Sequence, residues 1–305
     1  MSSNTFNSEL RLARFLPRTV VSPRTLGLAR QLMKITGRKA PRDGETVQVN
    51  AGVSVRVFRP NPPHPPTPAL LWIHGGGYLV GNAAMGDRMC RQVANQLGVV
   101  AASVEYRLTP EHPFPTPLED CYAALTWLAK QPGIDPSRIA IGGESAGGGL
   151  AAALALLAKE RGEFTPVLQV LSYPMLDDRT TTRQDFDQRR LRLWNQNSNR
   201  LGWRSYLGQI PEGDVPPLAA PARYEDLSGL PPAWIGVGTN DLFHDEDIAY
   251  AARLRDAGVP CTLHLVPGAY HGFDLVERRA DIARDFLRSQ LTAMETAFTS
   301  GGRTP

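Results

Sequence analysis

The stretch Ile139-Ala140-Ile141-Gly142-Gly143-Glu144-Ser145-Ala146-Gly147-Gly148-Gly149 constrains this chain more than any other. An apolar run ends at Gly142, and an Ala/Leu-rich segment, residues 150–158, follows the glycines. That succession predicts a strand, a tight turn and a helix. Ser145 stands at the apex, in a G-x-S-x-G pattern. A turn this sharp strains the backbone at its apex, so the positions two before and two after must be small. Gly143 and Gly147 meet that need, and Ala146 keeps the turn uncrowded. Such a turn lifts a hydroxyl clear of a sheet, at a helix N-terminus whose dipole favours a developing negative charge. It is the context a nucleophile elbow requires. Five-residue patterns also arise by chance in glycine-rich turns, so other segments have to decide.

The chain has 305 residues, enough for one large α/β domain or two small ones, and 42% of them are hydrophobic, enough to bury a sizeable core. A net charge of +3 is too small to argue for nucleic acid. The densest basic cluster, Arg189, Arg190 and Arg192, lies among Leu191, Leu193 and Trp194, as in a solvated helix face with a buried stripe. Cys90, Cys121 and Cys261 are isolated and odd in number, which suggests reduced thiols in a cytoplasmic protein. No C-x-x-C or His/Cys cluster suggests a metal. Residues 1–14 lack the apolar run of a signal peptide, and the longest apolar run, 150–158, is too short to span a bilayer. A soluble, cytoplasmic monomer or homodimer is expected.

Residues 1–45 predict short helices interrupted by Pro17 and Pro23, a lid or a packed arm. Residues 46–49 and 53–58 alternate as two antiparallel strands. A proline-dense loop, 60–68, contains His64, read as a solvated loop residue. Strands are then expected at 69–73, 99–104, 138–141, 167–171, 233–237 and 262–266, and helices at 83–97, 118–130, 248–257 and 278–294. Residues 177–221 break this alternation and read as an inserted helical region. Strands alternating with helices imply a mostly parallel sheet covered on both faces. The expected division is 1–45 and 177–221 as outlying helical segments, with 46–176 and 222–305 as two parts of one core.

Four points recur where sheet strands end: the loop after His74, Ser145, Asp241 and His271. In an open α/β sheet, ligands bind at the carboxyl ends of the strands. An alcohol needs a base to remove its proton, and the base needs a carboxylate to orient it and stabilise its cation. Ser145, Asp241 and His271 supply these in the chain order expected for a triad on such a sheet. A tetrahedral intermediate also needs N–H donors, and Gly75, Gly76, Gly77 and Ala146 are the candidates.

Several ordered motifs carry a resemblance across roughly residues 70–273. They are His74-Gly75-Gly76-Gly77, Tyr106-Arg107-Leu108 with Pro110-Glu111-His112-Pro113-Phe114-Pro115, Gly143-Glu144-Ser145-Ala146-Gly147-Gly148, Leu230-Pro231-Pro232-Ala233, and His271-Gly272-Phe273. Together they resemble the hormone-sensitive-lipase-like (bacterial family IV) esterases of the α/β-hydrolase fold. The resemblance implies a mostly parallel sheet with helices on both faces. It also implies a helical cap built from residues 1–45 and 177–221. The implied activity is a serine carboxylesterase acting on short-to-medium acyl esters, with no cofactor and a small-molecule ester as its partner. An amidase or arylformamidase on the same triad, or a non-catalytic hydrolase-like binding protein, are the alternatives; the presence of His271 argues against the last. The chain departs from the family at Glu144, where Asp or Thr is usual, and at Leu242, where proline is usual.

Among other residues, Asp245, Glu246 and Asp247 read as acids loading the N-terminus of the next helix. His74 is expected to fix the glycine loop by a hydrogen bond, His112 to be a loop residue, His244 to be the one rival base, and His264 to be a sheet residue. Tyr78, Trp203, Tyr206 and Leu207 either border the substrate or pack the cap. No apolar stripe suggests binding to an interface.

Overall fold

In the computed structural model, residues 6–37 and 39–300 are described; positions 1–5 and 38 of the N-terminal segment lie outside them. Eight strands form one sheet: β1 (Glu45–Asn50), β2 (Val53–Phe58), β3 (Thr67–Ile73), β4 (Val100–Glu105), β5 (Ile134–Glu144), β6 (Leu168–Ser172), β7 (Ala233–Asn240) and β8 (Cys261–Tyr270). Their spatial order is β1-β2-β4-β3-β5-β6-β7-β8. The β1–β2 and β2–β4 pairs are antiparallel and every other pair is parallel. All strands but β2, seven in number, therefore end at one edge, which fixes where the loops after them converge.

Alternation along the strands feeds two cores. Ala69, Leu71 and Ile73 of β3 join the core beneath α3 (Thr116–Ala129), α4 (Ala146–Arg161) and α6 (His244–Asp256). Leu70 and Trp72 join the core on the opposite face, beneath α2 (Asp87–Leu97) and α8 (Asp281–Ser300). Helix α4 is apolar around its whole girth, and residues 146–158 are all buried. It has no polar face because the sheet lies on one side and other helices on the other.

Boundaries shift by a few residues from the sequence pattern. The expected helix at 83–97 begins with a 3₁₀ turn, Ala83–Gly86, before α2, because Asn82 caps that turn through Ala84 N–H. Strand β5 starts earlier and β8 runs further than apolar alternation suggests. The basic cluster at 189–192 is corrected outright: it lies in a loop, not on a helix face. Leu191 and Trp194 are buried there, and Asp187 pairs with the Arg189 guanidinium.

The two outlying segments meet over the carboxyl edge. Asn7 N–H bonds to Gly268 O just before the end of β8, at 3.1 Å. Leu193 N–H bonds to Pro17 O (2.9 Å) and Val20 N–H to Leu193 O (3.2 Å). Ser198, at the start of α5 (Gln196–Leu207), donates to Val21 O at 2.7 Å. Helix α1 (Leu26–Gly37) then packs Leu26 and Ala29 inward, and Arg30 donates to Leu79 O. Its Leu28, Leu32 and Ile35 face outward and are 56–64% exposed. An outward apolar stripe is therefore present where none was expected from sequence. Proline and glycine around a short helical segment hid its period.

Candidate active site

The strands set the positions of the chemistry-bearing side chains. Ser145 directly follows β5 and precedes α4, with φ 56° and ψ −123°. This is the left-handed side of the map, costly for a serine and held by its surroundings. Ser145 N–H bonds to Ser172 O at 2.9 Å, while Ser145 O accepts from Gly149 N–H and Met175 N–H, both at 3.0 Å. A side chain at Gly143 would run into the backbone of Gly147, and one at Gly147 into the carbonyls of Ile73 and His74. The two glycines are required by this close approach of three backbones.

Asp241 follows β7 and His271 follows β8. His271 Nε2 lies 2.9 Å from Ser145 Oγ, and His271 Nδ1 lies 2.8 Å from Asp241 Oδ2. The second Asp241 oxygen accepts Phe243 N–H at 3.0 Å, which fixes the carboxylate against the imidazole. All three side chains are nearly buried. The imidazole is packed edge-to-face by Tyr173 (4.9 Å) and Phe243 (5.3 Å).

After β3, the chain turns through Gly76 and Gly77 at φ 111° and 61°. Gly76 O accepts from Leu79 N–H and Val80 N–H, both at 3.1 Å, closing the turn. A Cβ at Gly76 would strike Val80 O. His74 beneath it bonds through Nδ1 to Gly75 O (2.8 Å) and stacks on Tyr106 at 4.3 Å. Burial pushes the His74 pKa down to about 4, so the ring is neutral and acts as packing and support. Gly75 adjoins the residue before Ser145. Its N–H lies against the Glu144 carboxyl and favours the charged form of that group. Glu144 itself is buried, with one oxygen unpartnered. Burial, then the charge of Asp274, push its pKa up to about 8.

The remaining acids and histidines separate by environment. The His244 ring bonds to the Asp245 carboxylate at 2.7 Å, not to that of Asp241. Glu246 is not simply a charge at a helix start: it is buried and accepts Leu176 N–H (2.8 Å), Asp177 N–H (3.1 Å) and the Thr180 hydroxyl. Asp247 is wholly buried, and Asp245 alone of the three is exposed. His64 and His112 are exposed loop residues, and His264 is half-buried on β8 near Trp234.

Tyr78, Trp203 and Tyr206 are buried against one another, with Tyr78 stacked on Tyr206 at 4.0 Å and tilted to Trp203 at 5.8 Å. They form an aromatic support behind the glycine turn, with Leu207 half-buried at its margin. The aromatic residue that reaches the front of the turn is Trp194, which composition alone did not single out. A side chain at Gly77 would collide with its ring, and its centroid lies 6.4 Å from that of His271. Tyr173 and Asp274 were also not singled out. They are joined by a hydrogen bond of 2.9 Å behind His271, a contact between residues a hundred positions apart that no local pattern marks. A cavity of about 1550 Å³ lies among Pro166, Pro232, Pro260 and α8, and neither Ser145 nor His271 lines it.

Comparison with known proteins agrees with this architecture. Residues 70–275 match the family model described as alpha/beta hydrolase fold. The chain is 35% identical over 242 residues to the esterase LipI of Mycobacterium tuberculosis, covering 72% of this chain and 71% of that one. It is 36% identical over 239 residues to an ethyl acetate hydrolase of Pseudomonas putida, covering 76% and 73%. A solved bacterial heroin esterase superposes with a TM-score of 0.86 at 36% identity, covering 98% of this chain and 99% of that chain. No helix among the described residues is long and apolar enough to cross a membrane. With a matching sheet, a matching sequence over two thirds of its length and esterases among its relatives, the chain belongs to the hormone-sensitive-lipase-like group of the α/β-hydrolase fold and is a carboxylic ester hydrolase.

Proposed function

We propose that the protein is a serine carboxylesterase for short-to-medium acyl esters, working through an acyl-enzyme on Ser145. The observation that carries this reading is the unbroken hydrogen-bond line from Ser145 Oγ through His271 to Asp241. His271 Nε2 takes the Ser145 proton as Oγ attacks the ester carbonyl carbon. The C=O electron pair moves onto oxygen, and Gly76, Gly77 and Ala146 N–H groups stabilise that charge. Collapse breaks the bond to the alcohol oxygen, which leaves with the proton from His271. Water then loses a proton to His271 and attacks the acyl carbon. The second collapse releases the acid and returns the proton to Ser145.

Asp241 holds the imidazole so that Nε2 faces Ser145 and stabilises its transient cation. No redox step or bound cofactor enters this sequence. In this reading residues 6–45 and 177–221 are a cap over the site. Their support is the pairing of Pro17 and Val20 with Leu193, and the approach of Trp194 to Gly77. Trp194 would then bound the acyl chain. The relative named for ethyl acetate favours the short end of the range.

The test is a set of three variants assayed on an aryl butanoate. Ser145→Ala and His271→Ala should each lose turnover on the order of a million-fold, and Asp241→Asn on the order of ten-thousand-fold. Each should keep the circular dichroism of the parent. Substantial activity in Ser145→Ala, or a near-normal Asp241→Asn beside an inactive, folded Glu246→Gln, would overturn the assignments.

A further inference from the structure

Exposed apolar side chains are normally scattered, and a concentration of them marks an interaction surface. Here six of the eight large exposed apolar side chains among the described residues fall between positions 12 and 35: Leu12, Phe15, Val20, Leu28, Leu32 and Ile35. They belong to the segment that crosses the carboxyl edge of the sheet, from Gly268 through Leu193 to Leu79. On α1 the last three recur at i, i+4 and i+7, within an arc of about 60°. The opposite side of that helix is the one that packs, through Leu26, Ala29 and Arg30.

Charge follows the same segment. Residues 1–45 hold nine Lys or Arg against three Asp or Glu, a net +6, whereas the whole chain carries +3. The rest of the molecule is therefore net negative. Arg11, Arg14, Arg18 and Arg24 are exposed and form no ion pair among the described residues. An apolar stripe flanked by unpaired cations is the composition of a segment that lies in a lipid–water boundary.

We infer that the outward face of residues 11–35 docks the protein onto an anionic lipid surface, with the carboxyl edge that carries Ser145 turned toward the lipid. A second copy of the chain fits the same face poorly. Symmetric pairing would set each strongly basic segment against its own like charge. An anionic bilayer neutralises the arginines and takes up the leucine and isoleucine side chains at once. No part of the chain needs to cross the bilayer.

The full-length protein would be sedimented with vesicles of phosphatidylcholine alone and of phosphatidylcholine mixed with phosphatidylglycerol, at low and high salt. The expected result is pelleting with the anionic vesicles, little with the neutral ones, and release by salt. Leu28→Gln/Leu32→Gln/Ile35→Gln should lower the partition coefficient roughly tenfold or more. Its hydrolysis of a water-soluble aryl acetate should be unchanged. Arg11→Gln/Arg14→Gln/Arg18→Gln/Arg24→Gln, which alters other exposed side chains, should lose binding in the same assay and guards against misfolding of the first variant. Failure of the parent to pellet, or binding equal to the parent in both variants, would overturn the inference. So would a parent that is dimeric by light scattering, ignores vesicles and becomes monomeric in the leucine/isoleucine variant. Because a soluble ester reports activity separately, an inactive parent that still binds vesicles would count against the esterase mechanism and not against this surface.

Discussion

Glu144 is a buried carboxylic acid immediately before Ser145. Its carboxyl is pushed up to about 8 from an ordinary 4.5, first by burial and then by the charge of Asp274. The folded protein therefore holds this proton more tightly than the unfolded chain does. The resulting stability is complete below about pH 4.5 and is lost as pH rises through 8, because only the folded state must keep or expel a buried charge. Glu144→Gln stays neutral throughout. It should melt like the parent near pH 5 and above it near pH 9, by an amount on the order of a few kcal/mol. Thermal melts across that range check this, and parallel pH curves for the two proteins would refute it. The carboxyl at this position was visible in the sequence as a departure from the usual family residue. Its protonation was not, since that depends on Asp274, which reaches the elbow only through the fold.

At the scale of elements, legibility followed the range of the cause. The strand–turn–helix at Ser145 was readable because its glycines answer a local steric demand, and Gly143 and Gly147 do meet the backbones of neighbouring segments. Strand alternation likewise identified the sheet. What local pattern missed is set by contacts between distant segments. Residues 189–194 mimic a helix face in spacing, yet Leu193 pairs with Pro17 and Val20, and the chain runs through turns, with Leu193 at φ 65°. That pairing carries Trp194 to Gly77. Trp194→Ala should cost about 3 kcal/mol as a large buried ring is removed. It should also shift the acyl-length profile. The parent is expected to rise from acetyl to butanoyl or hexanoyl esters and to fall beyond about decanoyl, as each methylene gains about 0.8 kcal/mol until the pocket is full. The variant's maximum should move to longer chains. An unmoved maximum, measured with a series of aryl esters, would remove Trp194 from the acyl wall.

At the scale of the molecule, a sheet with seven strands ending at one edge brings three loops together, and in the proposed reading two outlying segments close over them. The N-terminal segment is bonded at both ends of its path, to Gly268 and to Leu79, and to Leu193 between. Deleting residues 1–40 should therefore lower the melting temperature and flatten the acyl-length profile together, because one set of contacts supports both. Unchanged melting and unchanged kinetics would show that this segment neither holds nor bounds the site. The central claim, however, is covalent. The most direct measurement is rapid quenching of the protein with an activated aryl acetate, followed by proteolysis and mass spectrometry. The expected result is a burst of the aryl alcohol matched by one acetyl group on the peptide containing Ser145, absent from Ser145→Ala. A burst with the acetyl group on any other residue, or active turnover through a Ser145→Ala protein, would contradict it.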